Sequence, residues 1–171
     1  MKKLFLLIVL IGTLCTAQDK DVFDTARFGT VEQMQALVKK NKDTVNALNP
    51  AGFSPLILAC YRGNVPVAEY LAKNVKDVNY NSSNGTALAS VAVKGDVKLA
   101  KLLLENKANP NIADANGVTP LVYAVQFQNK ELIMLLLKYK ADKNKKDNEG
   151  KSPYDHAVFT NNQDIINLLK N

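Results

Sequence analysis

The chain has 171 residues, a formal net charge of +6 and 47% hydrophobic residues. That length can bury one continuous core, and the positive excess is well short of a nucleic-acid-binding footprint. With one histidine and two cysteines in all, an ordinary zinc site and a disulfide-rich scaffold are both excluded.

Residues 1–17 read as a cleavable export signal. Lys2 and Lys3 give a basic start, Leu4 to Ile11 an apolar run, and Gly12 to Ala17 a smaller-residue stretch with Cys15 and Ala17 where a signal peptidase inspects the chain. The run is too short for a membrane-spanning helix. A lipoprotein would use Cys15 as its anchor, but Leu14 is bulky where that processing takes a small residue. Without this segment Cys60 is the only thiol, which rules out an internal disulfide; its place in an apolar helix predicts a buried, inert group.

From residue 18 onward the chain repeats itself. Ser54-Pro55-Leu56, Thr86-Ala87-Leu88, Thr119-Pro120-Leu121 and Ser152-Pro153-Tyr154 head successive units, 32, 33 and 33 residues apart. Each Ser or Thr caps a helix, and proline fits the first helical position, where its missing N–H costs nothing. The short helix should end at Gly63, Gly95, Gln128 or Asn161, where a left-handed residue stops it. A second helix follows, capped by Asn64, Asp96, Asn129 or Asn162. Its apolar face is Val67/Leu71, Leu99/Leu102/Leu103, Leu132/Leu135/Leu136 or Ile165/Leu168/Leu169. Turn-prone loops precede the units at Asn49–Gly52, Asn81–Gly85, Asp114–Gly117 and Asp147–Gly150. Upstream, Thr30 and Gln33 have capping-box spacing in a degenerate unit. A period of this size means stacked units that bury their apolar faces only against neighbours.

The pattern Asp114-Ala115-Asn116-Gly117-Val118-Thr119-Pro120-Leu121, followed by Leu135-Leu136-Leu137 and Ala141-Asp142, resembles the ankyrin-repeat family. The resemblance implies an all-α solenoid of helix-turn-helix units joined by hairpin loops. It would occupy residues 18–171, with a degenerate N-terminal unit at 20–46 and repeats at 47–79, 80–111, 112–144 and 145–171. The family often places histidine after Thr-Pro-Leu. Here those positions hold Ile57, Ala89, Val122 and Asp155, which predicts a more apolar seam between units.

Catalytic chemistry finds little support. His156 and its neighbour Asp155 lie on one helix, and Ser82, Ser83 and Ser90 lie two units away, so a triad would have to form across the stack. No phosphate-cradling glycine loop is present. Asp142, Asp147 and Glu149 are interleaved with Lys143, Lys145 and Lys146, as in a solvated loop rather than a calcium cage. The expected chain has no cofactor and no metal.

The resemblance implies that partners bind the concave face formed by hairpin tips and first helices. The pairs that precede each first-helix terminus are Arg27-Phe28, Tyr61-Arg62, Val93-Lys94, Gln126-Phe127 and Phe159-Thr160. They are rich in the aromatic and basic residues that dominate interface energetics. The candidate contact set is Arg27, Phe28, Tyr61, Arg62, Lys94, Gln126, Phe127 and Phe159, with Phe53, Val118 and Lys151 at the hairpins. Packing between units is the competing role for the aromatics. The expected protein is a monomeric, non-catalytic protein-binding module exported to a bacterial periplasm or secreted. Periplasmic relatives suggest a part in envelope or oxidative-stress protection. Three other roles remain open: an inhibitor or immunity protein for a secreted enzyme or toxin, a structural envelope component, and a cell-envelope enzyme.

Overall fold

The computed structural model describes residues 21–170, so the expected export signal over residues 1–17 lies outside the described residues. Helices come in pairs: α1 (Val22–Phe28) with α2 (Val31–Lys40), α3 (Pro55–Arg62) with α4 (Val65–Asn74), and α5 (Ala87–Lys94) with α6 (Val97–Glu105). They continue as α7 (Pro120–Gln126) with α8 (Lys130–Lys138), and α9 (Pro153–Thr160) with α10 (Gln163–Lys170). A 3₁₀ turn at Lys42–Asn46 follows α2. The first helices α1, α3, α5, α7 and α9 pack side by side in one row, and α2, α4, α6 and α8 form a second row behind them. The fold is an all-α solenoid.

The local causes are those legible in the sequence. Ser54, Thr86, Thr119 and Ser152 each accept a hydrogen bond from the backbone N–H three residues on, which satisfies one otherwise unpaired donor of the first turn. Thr30 and Gln33 form the expected reciprocal capping box. Gly63 and Gly95 end α3 and α5 in the left-handed region at φ 72°. Gln128 and Asn161 adopt the same region at φ 55° and 52°. Asp96, Asn129 and Asn162 cap their second helices. Asn64 does not cap α4. Its side chain instead donates to the carbonyls of Ala26 and Gly29 at 3.1 and 3.0 Å, tying the second unit to the first.

Between the rows runs one core. Leu71, Leu99, Leu103, Leu132 and Leu136 are fully buried from the second helices, and Leu88, Val91 and Leu121 from the first. Ile57, Ala89 and Val122 are buried, so three of the four positions where the family often places histidine form an apolar seam. The fourth, Asp155, completes a capping box with Ser152. Polar links between units run along the loops after the second helices. Asn46, Asn79 and Asn111 accept from the backbone N–H of Lys76, Asn109 and Asp142 at 2.9, 2.7 and 2.7 Å. Each bond joins one unit to the next, at a separation of 30 or 31 residues.

Candidate interaction face

The loop that precedes each first helix is built around one side chain. Oδ1 of Asn49 accepts from the N–H groups of Ala51 and Phe53. Oδ1 of Asp114 does the same for Asn116 and Val118, and Oδ1 of Asp147 for Glu149 and Lys151. This folds the loop back and presents its tip beside the first helices. The loop at Asn81–Gly85 is one residue shorter, and there the Ser82 hydroxyl bridges to the Gly85 carbonyl instead.

An aspartate at this place has a second oxygen to offer, and the following helix uses it. The Tyr123 hydroxyl donates to Oδ2 of Asp114 at 2.6 Å, and Nε2 of His156 meets Oδ2 of Asp147 at 2.7 Å. Burial and the bond to Asp114 push the Tyr123 phenol up to about 12, so it stays a neutral donor. Burial alone would raise the Asp147 carboxyl, but the N–H donors of Lys151 and Glu149 together with His156 hold it below the ordinary carboxylate value. With Nε2 donating to Asp147, Nδ1 of His156 accepts from the Gln126 carboxamide at 3.3 Å, across the α7–α9 boundary. His156 is thus engaged on both ring nitrogens as a structural link, and among the described residues no hydroxyl or thiol is bonded to it.

Hairpin tips and first helices enclose a groove of about 700 Å³. Arg27, Phe53, Tyr61 and Arg62 of the candidate set line it. Phe53 and Val118 are half-buried, and Phe53 packs against the core. Phe28, Tyr61, Phe127 and Phe159 are exposed at 58, 49, 58 and 74%, too open to serve mainly as packing between units. Three of the four carry a cation. Arg62 lies 4.8 Å from the Phe28 ring centre, Lys94 lies 4.4 Å from that of Tyr61, and Lys151 lies 5.1 Å from that of Phe159. The first two pairs cross from one unit to the next.

The groove also takes in Leu58, Ser90 and Tyr123, none of which the sequence reading placed in the contact set. All three stand four residues after the capping Ser or Thr, one helical turn before the aromatic-basic pair. The i, i+3, i+4 rule that groups a helix face was the signal that would have found them. Cys60 is buried inside α3 and its thiol is pushed up by desolvation and by Asp96, which leaves it protonated and unreactive. Among the described residues no cluster of His, Cys, Asp or Glu could hold a metal ion, and no helix is long and apolar enough to cross a membrane.

Comparison with known proteins agrees with this architecture. The family described as ankyrin repeats in three copies matches residues 22–114 and 91–171. Ankyrin repeat and SAM domain-containing protein 6 of Rattus norvegicus is 28% identical over 117 residues, which is 66% of this chain but 13% of that protein. Protein fem-1 homolog A-like of Mus musculus is 35% identical over 52% of this chain and 14% of its own length. A putative ankyrin repeat-containing protein of Treponema pallidum is 32% identical over 62% of this chain and 36% of its own length. The chain thus spans a small part of the first two relatives, and what is shared is the stack of repeats. With the family matched along all of residues 22–171, on units whose caps, turns and seams are those described above, this chain belongs to the ankyrin-repeat family.

Proposed function

We propose that the chain is a non-catalytic protein-binding module exported to the periplasm, engaging its partner through the groove and the exposed first-helix termini beside it. Ankyrin repeats are protein–protein interaction modules. The observation that carries the finer reading is that four of the five first-helix termini carry an exposed aromatic ring. Large apolar rings gathered on one surface mark interaction sites far more than the same rings scattered singly. Envelope or oxidative-stress protection is the setting we assign. With Cys60 buried and protonated, such protection would come from holding a partner rather than from thiol chemistry.

The test is affinity capture from native periplasmic extract, comparing residues 18–171 with the Tyr61→Ala/Arg62→Ala/Phe127→Ala variant. A partner recovered only by the unmodified protein is the expected result, and equal recovery by both would move the site elsewhere. Export is checked by cell fractionation and N-terminal sequencing, with a mature start at Gln18 expected. Full-length protein in the cytoplasm would overturn that part of the reading.

A further inference from the structure

Arg62 and Lys94 differ from the other cations of this face. Arg27 is paired with Asp24 at 3.1 Å and Lys151 with Glu149 at 2.7 Å. Arg62 and Lys94 have no carboxylate partner among the described residues, and each is seated on an aromatic ring of the preceding unit. A ring holds a cation in place while leaving N–H donors free on the side away from it. Both cations are therefore positioned, exposed and open to an acceptor.

The groove beside them holds little that would repel an acidic ligand. Asp114 is the one carboxylate of its lining, and it is buried with Oδ1 on two backbone N–H groups and Oδ2 on Tyr123. We propose that the groove takes an extended, acidic peptide segment of the partner, with one carboxylate on Arg62, another on Lys94, and apolar side chains between them against Tyr61, Leu58 and Val93. This rests on the protein-binding reading above and names the chemistry of the partner.

The geometry also fixes a spacing. Helices packed side by side lie about 8–10 Å apart, and a segment extended as polyproline II advances about 3.1 Å per residue with about three residues per turn, which puts residues i and i+3 on one face. Carboxylates three residues apart therefore match cations carried by neighbouring first helices. A nucleic acid fits less well, since phosphate-backbone binding typically rests on about 6–10 cationic contacts and the floor of this groove is largely apolar.

The experiment is fluorescence anisotropy with a short labelled peptide that has Glu at every third position and Val or Ser between. The comparison probes are a peptide of equal composition with its Glu residues in one block, the Lys-for-Glu peptide, and a single-stranded oligonucleotide of equal charge. The spaced peptide should bind saturably and more tightly than all three. Arg62→Gln and Lys94→Gln should each weaken it about two- to fivefold, the scale of an exposed charge pair. The Lys98→Gln/Lys138→Gln variant, which removes two charges, twice the loss of either single substitution, from exposed positions on α6 and α8, should bind like the unmodified protein. Thermal melts confirm that the variants fold. The proposal is overturned by no saturable binding of the spaced peptide, by equal binding of the block peptide or the oligonucleotide, or by equal weakening in the Lys98/Lys138 variant. Failure of the spaced peptide beside capture that still depends on Tyr61, Arg62 and Phe127 would reject the acidic class and leave the binding module standing.

Discussion

At Asp147 the two carboxylate oxygens do separate jobs, Oδ1 closing the loop on Glu149 and Lys151 and Oδ2 holding His156. Because this carboxyl is depressed in the folded state, its stabilisation is present above the unfolded value, about pH 4. It is lost as pH falls through the folded value. The Asp147→Asn variant should fold, since Asn49 closes the same turn in its own unit. Its stability deficit, read from urea titrations across pH, should shrink as pH drops below about 4. A deficit that is flat across that window would show the carboxylate charge to be irrelevant. Glycine gives a second residue-level contrast. Gly117 has φ +77°, and an added Cβ would lie 2.7 Å from the Asn148 backbone nitrogen of the next unit; Gly63 has φ +72° with open space around it. Gly63→Ala should cost about 1–2 kcal/mol, the left-handed penalty, and Gly117→Ala distinctly more, both from denaturant midpoints. The caps and turn glycines were legible because they are local chemistry. The Tyr123–Asp114 and His156–Asp147 bonds were not, because each joins residues nine apart through a turn whose closure had to be seen first.

The described helices are short, so none of them holds itself together by propensity alone, and each depends on the face it buries. Leu136 of α8 is fully buried, whereas Met134 two residues earlier is 47% exposed. Leu136→Ala should cost about 2–5 kcal/mol, while Met134→Ala should stay within about 0.5 kcal/mol, measured in parallel denaturant titrations. Equal losses would mean the buried face of α8 is wrongly assigned. Element order and helix faces followed from the repeated Ser/Thr-Pro-Leu headings and the apolar spacing, which are set within a unit. Asn64 shows where that reasoning stops. It occupies the cap position of α4, yet its amide is taken by carbonyls of Ala26 and Gly29, 38 and 35 residues away. The aromatic faces were legible as residue types, but the cations seated on them were not, since Arg62 on Phe28 and Lys94 on Tyr61 are meetings between units.

For the molecule as a whole, each helical pair leans on its neighbours in the stack, so stability should vary along it rather than be shared evenly. Four residues of α6 are buried but only Ile165 and Leu169 of α10. Amide hydrogen exchange should therefore be faster in α10 than in α6, and uniform protection across both would argue for a single cooperative block. The amides of Asn46, Asn79 and Asn111 carry a consequence of another kind. Asn79 and Asn111 grip the equivalent backbone N–H one unit further on, and Asn46 the N–H one residue before it, so the Asn79 and Asn111 couplings are interchangeable. Excising residues 80–111 would bring the Asn79 amide to the N–H of Asp142, the partner that Asn111 now holds. At this joint the chain can thus shorten or lengthen by a whole unit, and the number of units in the stack is a quantity that inheritance can adjust in discrete steps.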